Sequence, residues 1–194
     1  MSDNNTVNEI KLFPYKDLFP KLHESVFLAS GAKIIGDVEI GENSSVWYNT
    51  VVRGDVNYIR IGSKTNVQDC SMLHVTNQKY PLVIGNEVTV GHSVTLHGCT
   101  LKDLCLIGMR AVVLDGAVIE EKALVAAGAV VKQGFVVPSG KLAAGVPAKI
   151  IRDLSDEEMN SFIQYSNRYV EYTKITIDSL IKYGYQVDWK EPEL

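Results

Sequence analysis

The stretch IGMRAVVLDGAVIEEKALVAAGAVVKQGFVV, residues 107–137, places an aliphatic residue at every sixth position: Ile107, Val113, Ile119, Val125, Val131 and Val137, with Ala143 next in phase. A period of six fits neither an amphipathic helix nor the two-residue alternation of a strand. It fits a solenoid in which each face is one short strand and a turn. Working outward, the same phase runs from Leu28 through Ile34, Ile40, Val46 and Val52, restarts at Ile61, Val67 and Leu73, and again at Ile84, Val90 and Leu96. Four positions after the aliphatic residue comes a small or β-branched one: Ala32, Val38, Ser44, Thr50, Val56. The aliphatic side chain is expected to point into the coil, and the smaller one to fill the corner. Glycine follows the aliphatic position at Gly41, Gly62, Gly85, Gly91 and Gly108. Three hexapeptides make one triangular coil of about 18 residues, and successive coils stack roughly 4.8 Å apart.

The phase slips by three residues near Tyr58–Arg60, by five near Lys79–Val83 and by five near Lys102–Leu106. Each slip is expected to be a loop bulging from a corner. The expected organisation is a lead-in over 1–20, a parallel β-helix over 21–149 and a helical segment with a polar tail over 150–194. Ser155 and Glu158 read as the N-cap and N3 of a capping box. Met159, Phe162, Ile163, Val170, Ile177, Leu180 and Ile181 recur at roughly helical spacing. They predict one helix or two joined helices along the prism, with Gly184 as a stop.

The 194 residues are 46% hydrophobic and 22% charged, with a formal net charge of −4. That balance suits a soluble domain and offers no basic surplus for nucleic acid. The opening MSDNNTVNEI lacks a signal-peptide pattern, and no apolar run approaches the ~20 residues of a membrane span. Cys70, Cys99 and Cys105 are odd in number and form no CxxC pair, so a reducing cytoplasm is expected.

The repeat locates three of the four histidines. His74 follows Leu73 and His97 follows Leu96, 23 residues on. That interval is one coil plus a slip of five, so the two imidazoles should sit one above the other, pointing outward. Two imidazoles at that separation can share one divalent ion. His92 lies on the preceding face and cannot readily reach the same ion. A threefold assembly resolves this, with His74 and His97 from one subunit and His92 from its neighbour. The competing reading, three solvated surface histidines, fits poorly with two of them being in coil register.

With these features the chain resembles the γ-class carbonic anhydrase family. The resemblance covers about residues 25–172. It rests on the hexapeptides, on His74…His92-x4-His97, on VVRGD at 51–55, on NVQD at 66–69 and on the GVPAK close at 145–149. It implies an all-β, left-handed parallel β-helix with a C-terminal α-helix, assembled as a homotrimer. It implies that His74, His97 and a neighbour's His92 hold zinc, with iron(II) or cobalt(II) as alternatives. Arg53 and Asp55 would pair across the subunit interface. Gln68 would hydrogen-bond the metal's water, Asn66 and Asp69 would orient that shell, and Tyr169, with Asn167, would approach from the helix. The implied reaction is reversible hydration of CO2 to bicarbonate by metal-bound hydroxide, with no nucleic-acid or membrane partner. The chain departs from the family at Val56, where an acidic residue is usual after the RGD, and in VTNQKYPLV (75–83), which has no carboxylate. The usual proton relay is therefore missing, and slow turnover is expected.

Hexapeptides also occur in acyltransferases. A hexapeptide acyltransferase or thioesterase acting on acyl-CoA, and a non-catalytic metal-binding trimer, are the alternatives. Metal content separates the acyl-transfer reading from the others, and CO2 hydration separates the enzyme from the scaffold.

Overall fold

The computed structural model describes residues 11–185 and 187. They form a parallel β-solenoid closed by a hairpin and one long helix. Its interior is three columns of aliphatic side chains in strict register. One column is Ile34, Val52, Leu73, Leu96, Val113 and Val131. The second is Ile40, Ile61, Ile84, Leu101, Ile119 and Val137. The third runs from Leu28 through Val46, Val67, Val90, Ile107 and Val125 to Ala143. All but Leu28 are buried, most of them completely. Burying each such side chain is worth about 1.5–3 kcal/mol, so the period of six is the main stabilising pattern. The smaller residues four positions later close the corners, with Thr50, Ala111, Ala117 and Ala123 all fully buried.

The interruptions differ from expectation in two places. The slip at Tyr58–Arg60 is not a loop. It lies inside an unbroken strand, Val51–Ile61, which pairs with Lys33–Ile40 and shifts register between Gly36 and Val38. These two long strands run through a corner and join two faces of the prism into one sheet. The three extra residues also turn Val56 outward, against expectation, and Ile59 takes the buried place opposite Val38. Gly36 permits this passage: it has φ +77°, and a Cβ there would collide with the carbonyl of Gly54. The slip at Lys102–Leu106 is likewise absent. Leu101 is itself an inward residue, and Leu101 to Ile107 is a regular six-residue step with an ordinary turn. The short step is Leu96 to Leu101, five residues, taken through Gly98 at φ +53°. The interruption before Leu82 is a true loop, closed by a bridge between Thr76 and Tyr80.

Within the expected lead-in, Leu12–Phe13 pair in parallel with Ile34–Ile35. Residues 1–10 and the expected tail at 188–194 lie outside the described residues.

The segment after the solenoid is one helix, Asp156–Lys182. The capping box is complete: Ser155 accepts from the Glu158 amide, and Glu158 accepts from the Ser155 amide. Gly184, at φ +82°, ends the helix, with Tyr185 N–H donating to the Leu180 carbonyl. Phe162, Ser166, Thr173 and Ile177 form its buried stripe. Ile177 and Tyr169 pack on Phe27, Ala29 and Trp47. The helix thus lies over the face carrying Ser45–Val46 and Thr89–Val90, beside the corner that bears His92. Among the described residues no helix is long and apolar enough to cross a membrane.

Candidate metal centre

The parallel pairing of Met72–His74 with Thr95–His97 sets His74 directly beside His97. Their ring centroids are 5.1 Å apart, and Nδ1 of His74 lies 3.1 Å from Nε2 of His97. The outer nitrogen of each ring meets a carboxylate. His74 Nε2 is 3.0 Å from Asp55 Oδ1, and His97 Nδ1 is 2.7 Å from Asp115 Oδ1. Asp55 also pairs with Arg53 of the same chain through its other oxygen. Within the chain this Arg53–Asp55 pair braces His74. Burial works against the Asp55 carboxylate, but hydrogen bonds from His74 and Arg53 outweigh it and hold its pKa below the usual range. Burial in turn lowers the pKa of His74, against the opposing pull of Asp55, and favours the neutral imidazole.

The remaining expected residues gather at another corner. His92 sits in the turn after Thr89–Val90, in the other sheet. Its Nδ1 is 2.6 Å from Asp69 Oδ2, one coil earlier. Next to Asp69, buried Gln68 donates through Nε2 to Asn66 Oδ1 at 3.1 Å, and Asn66 donates to Thr89 Oγ1 at 3.0 Å. Tyr169 stacks edge-on against Trp47 at 5.5 Å. Its pKa is raised by burial first and by the nearby charge of Asp69 second, which places it on the His92 side. Asn167 is exposed on the helix. Among the described residues of one chain, no three His, Cys, Asp or Glu side chains converge on a common point. The chain instead carries two half-sites.

The donor chemistry of the His74–His97 half-site fits a divalent cation. With both outer N–H groups donated to carboxylates, both inner nitrogens present lone pairs to each other. Two lone pairs 3.1 Å apart repel unless an electron-poor centre lies between them. Two nitrogens on one tetrahedral zinc, each at 2.0–2.1 Å, would be about 3.3 Å apart. A carboxylate on the far nitrogen is also the usual support of a metal-binding histidine. His92 repeats the pattern with Asp69.

Known proteins place this geometry in a family. Residues 19–54 match the model of the bacterial transferase hexapeptide, six repeats. A probable carbonic anhydrase of Methanocaldococcus jannaschii is 49% identical, over 81% of this chain and 98% of its own length. Gamma carbonic anhydrase 2 of Arabidopsis thaliana, a mitochondrial protein, is 46% identical, over 82% of this chain and 59% of its own. The chain belongs to the γ-class carbonic anhydrase family. A solved Bacillus cereus structure described as a putative acetyltransferase is 45% identical, with a TM-score of 0.85 over 87% of this chain and 98% of that one.

Within this family member, sequence reasoning missed two residues of the half-site. Asp115 lies 18 residues after His97, one regular coil on, and that spacing was the available signal. Thr76 donates to the same Asp115 oxygen at 2.9 Å. No spacing rule points to it, because it sits in the loop that breaks the phase.

Proposed function

We propose that this protein is a metal-dependent enzyme that hydrates CO2 reversibly to bicarbonate, with zinc, or iron(II) or cobalt(II), held between subunits of a homotrimer. The observation that carries the proposal is the His74–His97 pair, with inner nitrogens facing and outer nitrogens tied to Asp55 and Asp115. The third imidazole is His92 of a neighbouring chain, turned by Asp69 so that Nε2 is its free donor. A divalent ion bound there supplies hydroxide from water near neutral pH. The chain's own residues do the rest. Asp55, Asp69 and Asp115 fix which ring nitrogen carries the proton. Gln68, held by Asn66, orients the water through its carbonyl end. Tyr169 helps exclude bulk solvent on the helix side.

Proton export is the weak step. Val56 is apolar, and the loop 75–81 has no carboxylate. Stopped-flow CO2 hydration on the metal-loaded protein tests the reading, with His97→Ala as control. Turnover that His97→Ala abolishes is expected, and metal-loaded protein with no turnover would overturn it. The name given to the Bacillus cereus protein keeps acyl transfer as a second reading. Acetyl-CoA consumption without bound metal would favour it.

A further inference from the structure

The loop between His74 and Leu82 is tied to the solenoid at four points. Asn57 Nδ2 donates to the Thr76 carbonyl at 3.1 Å, and the Gln78 amide reaches the Val56 carbonyl at 3.4 Å. The Thr76 hydroxyl donates to Asp115 Oδ1 at 2.9 Å, the same oxygen that holds His97 Nδ1 at 2.7 Å. The fourth tie is steric. Tyr80 lies over the glycines of the next two coils. A Cβ on Gly98 would come within 2.7 Å of Tyr80 Cβ and would also strike the Asp115 carboxylate, and one on Gly116 would come within 2.9 Å of the Tyr80 ring. The five-residue step from Leu96 to Leu101 passes through Gly98 at this spot. The tight corner leaves a slot, and Tyr80 fills it. The loop, the shortened corner and the carboxylate of Asp115 are one packed unit.

We infer that Thr76 and Asp115, clamped by Tyr80 in the Gly98–Gly116 slot, are positioning residues that lock the His97 imidazole as the Nδ1–H tautomer and aim Nε2 at the ion. The inference rests on the metal reading above. A carboxylate alone fixes a direction, but an aspartate with a free χ1 would swing. Thr76 occupies a lone pair of the accepting oxygen and restrains that swing. The loop that would be a proton path in an acidic relative is here a strap on a ligand.

The test uses the full-length protein with 15N-labelled histidine, first without metal and then titrated with zinc against a chelator. In the parent and in Thr76→Ser, His97 should give the Nδ1–H signature in the metal-free state. Asp115→Ala should give mixed tautomers and weaken zinc by about 10–100-fold. Thr76→Val should weaken zinc by a smaller factor, roughly 3–10-fold, with Thr76→Ser restoring it. Tyr80→Ala, which empties the slot and leaves Asp115 and the glycines beside it unaltered, should act like Thr76→Val. If Thr76→Val and Tyr80→Ala keep both parental tautomer and parental affinity, the strap is refuted. If the tautomer is locked in the parent and released in the variants, yet the parent binds no zinc, the positioning stands and the metal reading fails.

Discussion

At the scale of the residue, the site is a set of three histidine–carboxylate pairs: His74 with Asp55, His92 with Asp69, His97 with Asp115. Each pair ties one ring nitrogen to a carboxylate and, on the proposed function, keeps the other for a cation. The stacking of His74 on His97 was legible from coil register, which also set His92 on the preceding face. Their carboxylates were less so, because a carboxylate one coil away is distant in sequence, and Asp115 was overlooked although it lies one regular coil from His97. The contact of Asp55 with His74 was not foreseen, because RGD suggests an ion pair before a histidine brace. Val56 also belongs at this scale. It is more than a third exposed and adjoins Asp55, so proton export should depend on external buffer. Raising an imidazole-type buffer at constant pH and ionic strength should raise the CO2 hydration rate until it saturates, and Val56→Glu should weaken that dependence. A flat buffer response in metal-loaded protein would reject the missing relay.

At the scale of the element, the periodic parts were readable and the irregular ones were not. Hydrophobic phase reports which side chain points inward, so it gave the three columns. It does not say whether extra residues leave the sheet or stay in it. Val51–Ile61 stays, because glycine at 36 lets two strands pass a corner while paired. Leu101 was passed over as an inward residue, which moved a short corner into a loop that does not exist. Column residues should be sensitive to truncation: Ile119→Ala, at a fully buried position, should cost about 2–5 kcal/mol in denaturant unfolding. The helix start offers a pH test. Glu158 pairs with Arg152 first, and also accepts from the Ser155 amide, which together take its pKa from 4.5 down to about 2. A lowered carboxylate contributes stability that is complete above its unfolded value and is lost as pH falls through the folded one. Glu158→Gln, which keeps the capping acceptor but not the charge, should therefore melt earlier than the parent above pH 4.5, with the gap closing towards pH 2. A gap that persists at pH 2 would assign the effect to something other than the ion pair.

At the scale of the whole molecule, one chain carries two half-sites that it does not unite. His74 and His97 share one sheet, and His92 follows a strand of the other. In the proposed homotrimer identical chains unite them around a threefold axis, so no single chain holds its own ion. Subunit mixing tests this most directly. His74→Ala and His92→Ala chains, each purified without metal, are unfolded, mixed in equal amounts, refolded and assayed for bound zinc. Each interface needs His74 and His97 from one kind of chain and His92 from the other, so random trimers should regain about a quarter of the parental metal, while either variant alone stays near zero. Mixed trimers that form yet bind no more zinc than the single variants would contradict the shared site.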